Sequence, residues 1–78
     1  MTQLETELRQ IISTVGEIPA EFPSAADLYR DLHLASFKSV DLLMALEERY
    51  KVAIPDDQYI EATTLERLTA MMRGLLDN

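Results

Sequence analysis

The chain has no cysteine and a single histidine, His33. Without cysteine there is no disulfide framework and no thiolate metal site, so packing alone must hold the fold. One histidine would leave carboxylates to complete any zinc site, and no metal centre is expected. Two glycines are too few for a phosphate-cradling loop. Cations are scarce as well: Lys and Arg number 7 against 14 Asp and Glu, for a formal net charge of −7. That balance lacks the clustered Lys and Arg that nucleic acid or an anionic membrane surface requires. It suits a basic protein partner, and it also keeps a small chain soluble. No apolar run approaches the ~20 residues of a membrane span. The opening "MTQLETELRQ" is acidic and polar, unlike a secretory or transit peptide. A cytoplasmic monomer is the expectation, with no nucleic acid partner and no membrane insertion.

At 78 residues the chain is expected to form one domain, spanning 1–78. Such a domain buries only about 60% of the surface its unfolded chain exposes. Its core is thin, and a deep enzyme pocket would compete with that core for the same side chains.

Helical spacing dominates what is present. Leu4, Leu8, Ile11, Ile12 and Val15 predict a first helix over about 3–15. Thr2 and Glu5 form a capping box at its start, and Gly16 suits the left-handed position at its end. Residues 17–35 lack a sustained period and carry Pro19, Pro23 and Ser24. They predict an ordered loop with one short turn after Ser24. A second helix is expected over 37–51 with Ser36 as its cap, and a brief one over 56–61 after Pro55. A fourth covers 64–76, with Thr63 and Glu66 as its capping box and Gly74 weakening its last turn. No repeat or strand alternation appears. The fold class is all-α: four helices, a long first loop and a short third helix.

The second helix has two apolar faces. At roughly 100° per residue, Leu43, Leu46 and Tyr50 share one side, with Leu42 at its edge. Phe37 and Met44 fall nearly opposite, with Asp41 and Glu48 beside them and Val40 and Glu47 on the flank. An amphipathic helix buries one stripe. A second apolar patch among carboxylates points to a partner surface, for which methionine is well adapted. The competing expectation has Phe37 folded back over the loop and Met44 as an isolated exposed residue.

Ser36 stands at the end of that face. A helix N-terminus presents unpaired N–H groups and partial positive charge, so a phosphate attached there is tolerated. An unmodified serine there is also an ordinary cap, worth about 1 kcal/mol.

The stretch "SVDLLMALEERYKVAIPDD" resembles the second helix and following loop of the acyl carrier protein family. Carriers of this kind have a serine at the start of that helix, commonly within Asp-Ser-Leu. Here the triplet is Ala35-Ser36-Phe37. Glu47, Glu48, Tyr50, Ile54-Pro55-Asp56 and Thr63-Thr64 also fit, and the resemblance runs from about residue 4 to 76. It implies a carrier rather than an enzyme, in the setting of fatty acid or lipid biosynthesis. A 4′-phosphopantetheine arm, donated from coenzyme A by a phosphopantetheinyl transferase, would be attached at Ser36. Acyl or acyl-like cargo would be held on it as a thioester and presented to acyl-loading and acyl-transferring enzymes with basic docking patches. Docking would fall to Phe37, Val40, Asp41, Met44, Glu47 and Glu48. By the same resemblance Leu43, Leu46, Tyr50, Ile54, Ala62 and Leu68 would line a withdrawn acyl chain. The alternative for those six is a closed core.

Three departures stand out: Ala35 where an acidic residue is usual, Phe37 for leucine, and Lys38 at an often acidic position. They imply a specialised carrier with dedicated enzymes, aminoacyl cargo among the alternatives. Ala35 and Lys38 are also the best support for an unmodified acidic helical interaction module. A hydrolase built on Ser36, His33 and Asp31 needs a geometry that sequence proximity does not supply. Asp56-Asp57 matches neither an EF-hand loop nor a glycosidase pair, and suits a helix start. Lys38 and Lys51 suggest a lipoyl or biotin carrier, but those resemble β-rich hairpin domains.

Overall fold

The computed structural model describes residues 3–77. Thr2, and with it the proposed capping box to Glu5, lies outside the described residues. The elements are α1 (Gln3–Gly16), α2 (Lys38–Tyr50), α3 (Asp56–Glu61) and α4 (Leu65–Leu76). Among the described residues there is no strand, only an isolated antiparallel bridge between Asp27 and Thr64. The all-α architecture with a long first connection and a short third helix is as expected.

The core forms where α1 meets α2 and α4. Leu8 and Ile12 come from α1, Leu42 and Leu46 from α2, and Leu65, Leu68 and Met72 from α4; all are fully buried or nearly so. Leu28, Leu34 and Phe22 of the first loop close it. The centre of the buried stripe on α2 thus differs from expectation. Leu42 and Leu46 define it, while Leu43 and Tyr50 are only partly buried. For Leu43 the reason is α3, which at six residues buries none of its own side chains fully and covers that side incompletely, whereas Tyr50 turns toward α1.

Gly16 does not take the left-handed conformation; it is the last residue of α1, and Glu17 takes it instead, with φ 57°. Gly16 serves packing. A Cβ there would collide with Cδ1 of Leu34, whose side chain crosses the last turn of α1.

The first loop is ordered by specific bonds. Arg9 Nη1 donates to the carbonyls of Ala20 (2.7 Å) and Phe22 (2.5 Å), and its guanidinium lies 4.6 Å from the Phe22 ring centroid. After Ser24, the Ala26 N–H donates to Pro23 O in a short turn. Asp27 Oδ1 then accepts the N–H groups of Tyr29 and Arg30, both at 2.9 Å, in an Asx turn. These amide donors, that of Arg30 foremost, hold the Asp27 carboxyl below its usual range. Leu28 N–H donates to Thr63 O at 2.8 Å and Glu66 N–H to Ser24 O at 3.1 Å, tying the loop to the start of α4.

That tie shifts the start of α4 one residue beyond expectation. The cap of α4 is Thr64, whose Oγ1 accepts the Arg67 N–H at 3.1 Å, and the helix begins at Leu65. Thr63 is occupied with the loop.

Candidate functional site: the mouth and outward face of α2

Ser36 is exposed but is not the cap of α2. The cap position is Phe37, in right-handed helical conformation, with no side-chain hydrogen bond. Residues Ala35–Phe37 form a tight turn that leads into the helix. Lys38 N–H donates to Ala35 O (2.9 Å) and Ser39 N–H to Ser36 O (3.1 Å). The hydroxyl of Ser39 donates to the same Ser36 carbonyl at 2.8 Å. The backbone donors at the helix mouth are therefore partly satisfied without a Ser36 cap. Among the described residues nothing hydrogen-bonds the Ser36 hydroxyl.

The outward face is open. Phe37 is 72% exposed, Val40 57% and Met44 61%, with Asp41 and Glu48 exposed beside them. Phe37 is not folded over the loop. Glu47 is half-buried, and its Oε2 accepts the Ile54 N–H at 2.9 Å. It thereby fixes the connector that follows the left-handed Lys51 (φ 57°) at the end of α2.

Ile60 of α3, 71% exposed, was not singled out from sequence. A six-residue helix is too short for periodicity to show which side faces out. Ile60 lines a groove of about 340 Å³ between α2 and α3, together with Tyr29, Ser39, Val40, Leu43, Tyr59 and Thr63. The Tyr59 hydroxyl donates to Ser39 O at 2.7 Å and joins the start of α2 to α3. Burial, reinforced by the neighbouring Tyr29, pushes the Tyr59 phenol well above its ordinary range. It therefore stays a donor throughout the physiological range. Tyr59→Phe is expected to cost about 1 kcal/mol, read as a lowered urea midpoint, with faster amide exchange in α3. Unchanged exchange there would show that the bond does not hold α3.

Of the residues considered for lining an acyl chain, Leu43 lines this groove. Leu46, Leu68 and Ile54 lie in the core, and Ala62, also buried, borders a separate depression beside Met71. Tyr50 turns toward α1, where its hydroxyl donates to Glu7 Oε1 at 2.8 Å. Burial and that carboxylate push the phenol up to about 12. His33 is exposed, in left-handed conformation with φ 60°. Asp31 is engaged elsewhere: Oδ2 accepts the Asp27 N–H (2.9 Å) and Oδ1 lies 3.3 Å from Arg30 Nε. Lys38 reaches the end of α1, with Nζ 2.8 Å from Glu17 Oε2. No helix among the described residues is long and apolar enough to cross a membrane.

An exposed, unengaged hydroxyl at the mouth of a helix suits covalent attachment of a phosphate-linked group, since nothing must be broken to free it. Beside this geometry stands a family match. The model described as "phosphopantetheine attachment site" matches residues 6–72, spanning all of α2 and α3 and most of α1 and α4. The chain belongs to this family of acyl-carrier-like proteins, which bind the 4′-phosphopantetheine prosthetic group and serve as its carriers.

Proposed function

We propose that Ser36 is the attachment residue and that the chain carries acyl or acyl-like cargo between dedicated enzymes, without catalysing a step itself. The observation that supports this most is the free, exposed Ser36 hydroxyl at the mouth of α2. A transferase would use coenzyme A as donor. The Ser36 Oγ–phosphorus bond forms, the pyrophosphate P–O bond breaks, adenosine 3′,5′-bisphosphate leaves, and the hydroxyl proton passes to the transferase or water. When attached, the group supplies the thiol that this cysteine-free chain lacks, and cargo is held there as a thioester.

The chain's own residues position and present. Phe37, Val40 and Met44 offer apolar contact, while Asp41, Glu48 and the outer edge of Glu47 offer charge to a basic partner. Leu43, with Tyr59 and Ile60, would flank the first atoms of the cargo. Leu46, Ile54, Ala62 and Leu68 would meet a longer chain only if the core parted. The chain would act as a cytoplasmic monomer, with the small apolar face of α2 kept for transient partners.

The test is intact mass after incubation with coenzyme A and a broad-specificity phosphopantetheinyl transferase. One arm per chain is expected; no addition with any transferase would favour the unmodified interaction module. Docking is tested separately. Met44→Glu should keep the melting temperature near that of the native chain, because Met44 lies outside the core. It should weaken binding to a loading or transferring enzyme by about 2 kcal/mol. A collapse in thermal stability would place Met44 in the core instead.

A further inference from the structure

We propose that Glu17 masks the Lys38 cation, so that the surface beside Ser36 presents carboxylates to a basic partner. This rests on the attachment reading above and adds a residue that selects the partner. Lys38 lies two positions after Ser36, in the first turn of α2. Its stem is sunk into the surface, with the side chain 18% exposed, and its ammonium lies 2.8 Å from Oε2 of Glu17, which is 78% exposed.

The backbone makes this meeting possible. Glu17 turns left-handed directly after α1, and Leu34 packs on Gly16 as the chain returns, bringing the end of α1 to the start of α2. On its own helix Lys38 has Asp41 as its i+3 neighbour, a spacing at which opposite charges pair. Glu17 draws the ammonium the other way. Asp41 consequently has no ion pair among the described residues and keeps its charge for the outward face. The hydrogen bond and charge of Lys38 hold the Glu17 carboxyl below its usual range, so the mask is intact at neutral pH. Exposed ion pairs contribute little to folding. The pair can therefore be altered without disturbing the scaffold.

Losing the Glu17 carboxylate has two consequences of the same sign. An unpaired cation faces a basic partner next to the reacting hydroxyl, and that cation is free to neutralise Asp41. The experiment measures transfer from coenzyme A to the unmodified full chain by a phosphopantetheinyl transferase with a basic docking patch. It includes the native chain, Glu17→Gln, and the double variant Glu17→Gln/Lys38→Gln. Glu17→Gln is expected to raise KM for the carrier about fivefold, the size of one like-charge contact at about 4 Å fully screened by water, with kcat and melting temperature unchanged. The rise should shrink as salt is added. The double variant should return KM to the native value, which a merely structural role for the pair would not do. A KM unaffected by Glu17→Gln, or a double variant no better than the single, overturns the mask alone. A native chain that accepts no arm overturns the attachment reading together with it.

Discussion

Ser36→Ala is expected to abolish arm addition completely while leaving the stability of the chain within about 0.5 kcal/mol of native. The two halves of this result come from different observations. Loss of addition follows if the hydroxyl oxygen is the nucleophile that takes the phosphorus, since alanine offers no replacement and neighbouring Ser39 is committed through its Oγ to the Ser36 carbonyl. Preserved stability follows from the turn at Ala35–Phe37, which satisfies the helix mouth through backbone bonds and leaves the Ser36 side chain out. A serine that capped α2 would lose about 1 kcal/mol on this substitution. Intact mass and a urea melt on the same sample therefore separate handle from cap. Addition that persists in Ser36→Ala would move the site to another hydroxyl. A stability loss near 1 kcal/mol would restore the cap.

The same residue shows what was legible in the sequence and what was not. Helical periodicity placed α1, α2 and α4, because apolar positions at i, i+3 and i+4 report which surface must leave water, while Pro55 marked the start of α3. The outward face of α2 was legible for the same reason: Phe37 and Met44 lie opposite the buried stripe in any helix that contains both. Caps were not legible. Ser36 and Thr63 are competent capping residues by type, but Ser36 sits in a tight turn closed by backbone bonds to its neighbours, and Thr63 is tied to a partner distant in sequence. Thr63 gives its carbonyl to Leu28, and cap duty falls to Thr64. Gly16 misled in the same way, since its lack of a side chain makes room for Leu34 rather than for a left-handed turn. The pairing of Lys38 with Glu17 crosses the whole first loop, and no local rule would have found it.

Leu46→Ala is expected to cost about 3 kcal/mol, a large fraction of the stability of a chain this short. At roughly 0.05–0.15 kcal/mol per residue, a chain of this size has on the order of 4–12 kcal/mol in total. Leu46 is fully buried in the core cluster that α2 shares with residues of α1 and α4, so truncation leaves a void among side chains that are themselves held by helix backbones. Leu43→Ala provides the contrast. Leu43 is partly buried and borders the groove between α2 and α3, where solvent already reaches, so its loss should cost about 1 kcal/mol. Urea midpoints of the two variants against the native chain, all without the arm, decide between a closed core and a standing channel. Equal, small losses would mean that Leu46 already faces empty space and that a cargo chain finds a cavity waiting. A threefold disparity means that any cargo reaching Leu46, Ile54 or Leu68 must first part a packed interior. Thioester-linked chains would then remain in the surface groove unless the energy of burying them exceeds that of opening the core.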